Sequence, residues 1–235
     1  MEKWVATSKT GWMQDLCVNP WFNSVPLAER QAMLAAADVV VLRPGEMLFR
    51  KGDSGGGFFA VLSGALKVST LGEDGREGIL SVLEAGIWFG ETSHFDGQPR
   101  PHDVTAVEAS QVLFIASPAL DRLMRRSAFA HAMAVMMSVR TRALYGLVED
   151  SMLRTTSTRI ARRLLALSHG DATMASDARL KVGVSQEALA MMLGITRQTL
   201  SKELKALVEA GVLNLGYGQI DIVSLKGLER RCALD

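Results

Sequence analysis

Residues 184–211 read VSQEALAMMLGITRQTLSKELKALVEAG, and this stretch decides the fold. Its spacing predicts two short helices joined at Gly194. Leu189, Met192 and Leu193 give the first an apolar edge, and Gly194 ends it, because glycine takes the left-handed conformation that closes a helix. Ile195 is expected to pack inward, and Thr196 is a good N-cap for the second helix. There Leu200, Leu204, Leu207 and Val208 fall on one face. The opposite face shows Arg197, Gln198, Ser201, Lys202 and Lys205, side chains that read base edges and hold phosphates. A small residue, Ala190, stands where two such helices cross closely. The pattern is a helix-turn-helix; the plainer alternative is a helical hairpin with a solvated basic face.

The residues around it favour the first reading. Leu215 to Val223 forms two short apolar runs around Gly-Tyr-Gly, the signature of a β-hairpin, and Leu180 to Val184 supplies a strand in front. Strand, helix pair and hairpin make a winged helix-turn-helix. The net charge of +1 is unevenly placed. From Thr156 onward eleven Lys/Arg face eight Asp/Glu, leaving +3 there and −2 in the remainder. Nucleic-acid affinity depends on the local patch rather than the total.

With 235 residues, 48% hydrophobic and 22% charged, the chain has the composition of a folded protein of one large or two small domains. Cys17 and Cys232 are too few and too far apart for a metal cluster or a disulfide framework. No run approaches the length of a membrane span, and the first residues lack a signal-peptide core, so a cytoplasmic location is expected, with no membrane partner. No phosphate loop, zinc-protease motif, nucleophile elbow or acid–base constellation is evident, and no enzyme activity or metal site is expected.

Upstream, Pro20 to Ala37 reads as a helical opening. From Asp38 to about Ser117, Val-, Leu-, Phe- and Ile-rich segments alternate with Gly/Pro breaks, as in an antiparallel sandwich or barrel. Gly55 to Gly57 reads as a hairpin loop rather than a phosphate cradle, since no helix start follows. A short helix is expected from Pro118 to Arg126 and a long one from Ala128 to Arg154. In the long helix Met133, Met137, Arg140, Leu144, Leu147 and Ser151 form a heptad-like seam suited to a partner helix. Residues 154–158 are a polar hinge, Arg159 to Ser168 a further amphipathic helix, and His169 to Asp177 a loop.

This α+β order resembles the plan of the cAMP receptor protein/FNR (Crp/Fnr) family of bacterial transcription regulators, in which a jelly-roll-like β-roll precedes a long dimerisation helix and a winged helix-turn-helix. Four motifs carry the resemblance: RPGEMLFRKGD at 43–53, FFAVLSGALKVS at 58–69 with Gly64 at a hairpin turn, FGETSHFDGQPR at 89–100, and TRQTLSKELK at 196–205. It implies a β-roll effector domain over residues 1–126, a dimerisation helix and hinge over 127–155, and a DNA-binding domain over 156–235.

The third motif resembles the family's phosphate-binding cassette. There the match makes Glu91 the acceptor for a ribose 2′-hydroxyl and Arg100 the counter-charge for a cyclic phosphate, with Gly90 and Thr92 alongside. Pro101 departs from the family's usual Ser, Thr or Ala and has no N–H to offer the phosphate. Where the family holds the adenine, the long helix has Leu144 and Tyr145, with Thr141 one turn earlier. cAMP or cGMP is therefore one expectation and a ligand-free β-roll another. His94, His102 and Cys17 are read as ordinary residues rather than haem ligands, and two cysteines cannot supply the four ligands of an iron–sulfur cluster. The resemblance further implies a homodimer on a palindromic double-stranded DNA operator, with RNA polymerase as a further partner. Arg197, Gln198 and Lys202 would contact bases, Thr196, Thr199 and Ser201 the backbone, and Lys205 a phosphate. The rival is a cyclic-nucleotide-binding module acting on a protein partner, which needs neither the basic helix face nor the wing.

Overall fold

The computed structural model describes residues 9–73, 75, 77–169, 180–216 and 218–233. The expected loop beyond His169 lies outside them, as do Asp74, Arg76 and Tyr217. The chain divides into two compact units, Met1–Val68 with Leu83–Met137, and Ser69–Val82 with Ser138–Asp235.

Helices α1 (Lys9–Leu16), α2 (Pro20–Ser24) and α3 (Leu27–Ala35) open the first unit. The expected helical opening is present, divided at Val25-Pro26, where proline sets an extended conformation in the residue before it. Eight strands follow: β1 (Asp38–Leu42), β2 (Met47–Phe49), β3 (Phe58–Ser63), β4 (Ala65–Leu71), β5 (Glu77–Glu84), β6 (Trp88–Phe89), β7 (Asp103–Ala106) and β8 (Ser110–Ile115). They form two four-stranded sheets in the orders β1-β8-β3-β6 and β2-β7-β4-β5, the alternation of a jelly roll. Strand β8 is central: it pairs antiparallel with β1 from Asp38↔Phe114 to Leu42↔Ser110, and with β3 from Phe58↔Ile115.

Successive side chains of a strand point to opposite faces, and β3 uses both. Phe58 joins Trp21, Phe22 and Trp88, with ring centroids 4.9–5.9 Å apart. Phe59 joins Phe49, Phe89 and Phe114 in a second aromatic group. The indole N–H of Trp21 donates to the carbonyl of Ala132 at 2.7 Å, so the opening helices are fastened to the long helix by a buried hydrogen bond.

Two sequence expectations are corrected here. Gly64 is not at a hairpin turn, because β3 and β4 belong to different sheets. Residues 55–57 likewise carry the chain from β2 to β3, across sheets. Both are corners where backbone passes close to other chain. At Gly64 (φ 82°) an added Cβ would lie 2.3 Å from Ser110 Oγ and 2.5 Å from the Ala109 carbonyl oxygen.

Helices α4 (Thr92–Asp96), α5 (Ser117–Met124) and α6 (Ser127–Leu153) follow. The first turns of α6 bury Phe129, Ala132, Met133 and Met136. Met133 is only 1% exposed, a core residue of its own protomer rather than part of a partner-facing seam. The seam expectation is corrected there: apart from Val135, the large exposed apolar side chains of α6 lie further along, at Leu144, Tyr145, Leu147, Val148, Met152 and Leu153.

The second unit contains α7 (Thr156–Ser168), β9 (Lys181–Val182), α8 (Gln186–Leu193), α9 (Arg197–Glu209), β10 (Leu213–Gly216), β11 (Gln219–Ile222) and α10 (Leu225–Cys232). α7 starts three residues before the expected Arg159, because the Thr155 hydroxyl caps it by accepting from Thr158 N–H. The sheet order β10-β11-β9 matches the expected wing with its leading strand. Ile160, Leu164, Leu189, Leu200, Leu204 and Leu213 meet in one core, and Leu228 of the unforeseen α10 closes it.

Replacing Gly64 by Ala forces a strained φ and a backbone clash, and is expected to cost about 3 kcal/mol in urea unfolding. Gly45→Ala, also at positive φ but with open space around its Cβ position, is expected to cost only about 1 kcal/mol.

Candidate nucleic-acid interface and effector site

The helix pair is built from its caps. Ser185 accepts from Ala188 N–H at 3.1 Å and starts α8. Gly194 (φ 64°) ends it in the left-handed conformation. The next residue turns back, with Ile195 N–H donating to the Ala190 carbonyl at 3.1 Å. Thr196 then accepts from Thr199 N–H at 3.1 Å and its hydroxyl meets that of Thr199 at 2.9 Å. Both threonine hydroxyls are thus engaged in capping α9. Arg159 of α7 donates to the Leu193 carbonyl at 2.8 Å, placing a cation on the C-terminal carbonyls of α8.

With Leu200, Leu204 and Leu207 buried, the rest of α9 is turned outward. Arg197, Gln198, Thr199, Lys202 and Lys205 are exposed and Ser201 is half-buried. Gln198, Ser201, Lys202 and Lys205 line one shallow depression together with Ala206 and Glu209. Not every basic residue of this unit belongs to that face. Arg163 is 4% exposed and donates to the Leu80 carbonyl at 2.9 Å, and Arg162 is paired with Asp150 at 2.7 Å. Counting them toward a DNA-facing charge overstated it. The signal for Arg163 was its spacing: with Ile160, Leu164 and Leu167 it lies on the apolar face of α7.

The cassette sits in the first unit. Gly90 (φ 91°) follows strand β6, Glu91 leads into the single turn of α4, and Gly97 (φ 67°) ends it. The Arg100 guanidinium donates to the Gly90 carbonyl at 2.7 Å, closing the loop on itself. Arg100 N–H donates to the Asp53 carbonyl at 2.9 Å. Its guanidinium lies over Phe49 at 4.3 Å and Phe59 at 5.3 Å, favourable cation–π placements. Arg100 is 6% and Glu91 3% exposed. Burial pushes the Arg100 pKa down, and the charges of Glu91 and Asp53 pull it back up. Burial, helped by Lys51, also lowers the pKa of His102, against the pull of Asp103.

The cassette therefore brings Gly90, Glu91 and Arg100 together, while Thr92 and Pro101 face solvent. Thr141 and Tyr145 are exposed on the part of α6 that belongs to the second unit. Sequence reasoning missed Phe49, Phe59 and Asp53, since nothing in a linear pattern marks which aromatic ring lies under a distant arginine. His94 Nε2 lies 3.3 Å from a carboxylate oxygen of Asp121.

A jelly roll carrying a buried arginine in a Gly-Glu cassette, followed by a helix-turn-helix with a polar, basic recognition face, defines a DNA-binding transcription regulator with a sensory domain. The comparisons agree. Residues 39–127 match the model of the cyclic nucleotide-binding domain, and residues 158–231 that of the Crp-like helix-turn-helix domain. A CRP-like cAMP-activated global transcriptional regulator of Mycobacterium tuberculosis is 26% identical, over 80% of this chain and 84% of its own length. The cyclic AMP receptor protein of Thermus thermophilus is 27% identical, over 87% and 92% respectively. The structure of FixK2 from Bradyrhizobium japonicum shares the fold, with a TM-score of 0.73 and 21% identity over 85% of this chain and 98% of that one. The chain belongs to the Crp/Fnr family of transcription regulators. A module lacking a DNA-binding part is thereby set aside. Among the described residues, no helix is long and apolar enough to cross a membrane.

Thr196→Ala removes the α9 cap and is expected to lower the stability of the second unit by about 1 kcal/mol, while Thr196→Ser, which keeps the hydroxyl, is expected to lose less than half of that. Thermal unfolding followed by circular dichroism measures both.

Proposed function

We propose that the chain acts as a homodimer that reads a two-fold symmetric DNA operator with α9 and is controlled by a small effector at the β-roll. One observation carries the DNA-reading part: α9 is capped, anchored by three buried leucines, and presents Arg197, Gln198 and Lys202 outward near its start. In this reading Arg197 bonds the O6 and N7 edge of guanine, Gln198 prefers adenine, and Lys202 contacts a base one turn on. Thr196, Thr199 and Ser201 lie against the DNA backbone, and Lys205 pairs with a phosphate. As a transcription regulator, such a dimer would have RNA polymerase as a further partner.

The homodimer is supported by the apolar surface of α6. Leu144 is 62%, Val148 55% and Met152 75% exposed, at intervals of four residues along one side of a 27-residue helix. Leaving this much apolar area in water is unfavourable, at roughly 25 cal/mol per Å², and a second copy of the helix would cover it. Leu144→Glu with Leu147→Glu is expected to give a monomer by light scattering at micromolar concentration, and to abolish operator binding. A double variant that stays dimeric contradicts the assignment.

The effector reading rests on Arg100, a buried cation held beside Glu91 in a loop of the cyclic-nucleotide type, and two relatives are named for cAMP. In this reading Arg100 meets the phosphate of cAMP or cGMP, Glu91 the ribose hydroxyl, and Gly90 lets the backbone approach. A second reading has its own support: Arg100 is already bonded to Gly90 and stacked on Phe49, and Pro101 offers no N–H. In that reading the cassette is a structural clasp without a ligand. Calorimetric titration with cAMP and cGMP separates the two. Saturable binding lost in Arg100→Ala supports the first, and no heat from the wild type supports the second.

The helix-turn-helix assignment has its own test. Arg197→Ala is expected to cost about 1–3 kcal/mol on the operator and to relax preference at one base pair per half-site. Lys205→Ala is expected to weaken all sequences alike and to lower the salt slope by about one. Competition with single-base operator variants reads both. Equal weakening on every variant by Arg197→Ala makes Arg197 a phosphate contact instead.

A further inference from the structure

The second unit contains a cavity of about 610 Å³ that neither α9 nor the cassette uses. Its volume lies within the range of about 300–1,000 Å³ typical of small-molecule sites. Every lining residue belongs to that unit. Leu80 of β5, Ala143 and Leu147 of α6, Leu165 of α7, and Met191 and Met192 of α8 make its walls mostly apolar. Gly146 of α6 also lines it, and a Cβ added there would meet nothing within 4 Å. A glycine inside a helix costs roughly 0.5–1 kcal/mol relative to alanine, so here helix stability is given up and space is kept.

The charged lining is unbalanced. Arg159, Arg162 and Arg163 face a single carboxylate, Asp150. That carboxylate is taken by Arg162, with Nε–O distances of 2.7 and 2.8 Å. Arg159, half-exposed, gives one of its five donors to an uncharged group, the Leu193 carbonyl. An apolar chamber with a guanidinium at its side fits a molecule with an apolar body and an anionic head.

We propose that this cavity is a second ligand site, separate from the cassette, for an amphipathic carboxylate of the fatty-acid class. The head pairs with Arg159 and the chain lies along Leu80, Ala143 and Met192. Arg159 and Met191 to Leu193 are fixed to the end of α8, immediately before the turn at Gly194. Occupancy therefore bears directly on the helix pair that presents α9. Any difference in carboxylate affinity between DNA-bound and free protein appears, by linkage, as the same factor in DNA affinity. Only this regulatory consequence rests on the reading of α9 as the DNA-contacting helix. Ligand binding itself is measured without DNA, and operator binding separately.

The test is calorimetry on the full chain with decanoate, and with decylammonium as the same body bearing the opposite charge. One decanoate per chain is expected to bind, and decylammonium not at all. Gly146→Leu fills the cavity and is expected to weaken decanoate binding at least about tenfold while the variant melts as cooperatively as the wild type. Arg159→Gln is expected to weaken it about tenfold, and Arg159→Lys to restore most of it, the pattern of a charge contact. No decanoate binding at millimolar concentration overturns the proposal. So does equal affinity in the wild type and both Gly146→Leu and Arg159→Gln, or equally tight binding of decylammonium.

Discussion

The burial of Leu200, Leu204 and Leu207 is the constraint on which the DNA-binding part depends. Each side chain removed from water contributes about 1.5–3 kcal/mol, and together they fix how α9 is rotated about its axis. Once that rotation is set, Gln198 and Lys202 point away from the core, and Arg197, on the leucine side but at the very start of the helix, is left exposed. The two caps then fix where the helix begins. Gly194 lets the chain turn, and Thr196 satisfies the otherwise free amide of Thr199, so Arg197 is the first residue of the helix. The core that receives the leucines is assembled from α7, α8, the three-stranded sheet and α10, which is why the helix pair is not an independent hairpin.

Arginine serves three purposes in this chain, and environment separates them. Arg100 is enclosed in the first unit, where aromatic rings, a backbone carbonyl and two carboxylates compensate for lost hydration. Arg163 is equally enclosed, but on the apolar face of α7, bonded to the Leu80 carbonyl and touching Met192 Sδ. Arg197 is exposed at a helix start. A buried arginine demands acceptors and so organises its surroundings. An exposed one leaves its fork available for a planar partner. Composition counts all three as +1, and only burial tells a structural cation from one available to DNA.

Local chemistry made much of this legible in the sequence. Periodicity, a glycine stop and a threonine cap were enough for α8 and α9, because a helix pair is specified by neighbours in sequence. Turn signals were enough to show that residues 38–115 are strands. They were not enough for connectivity. Gly64 and Gly55 to Gly57 read as hairpin turns because a glycine between two apolar runs looks the same whether the runs pair or part into separate sheets. Long-range partners were out of reach for the same reason: Phe49 and Phe59 lie 51 and 41 residues before the arginine they flank. The heptad-like spacing on α6 ran on into Met133, because a side chain facing its own domain and one facing a partner share the same period.

Hydroxyl-radical footprinting of the full chain, on an operator selected from random DNA, tests the central claim most directly. That claim is that a dimer presents two copies of α9 to one duplex. The account predicts two protected half-sites related by a two-fold axis, their centres about 34–36 Å apart, one helical turn of the duplex. A single protected patch without symmetry, or equal protection of every sequence, would contradict it.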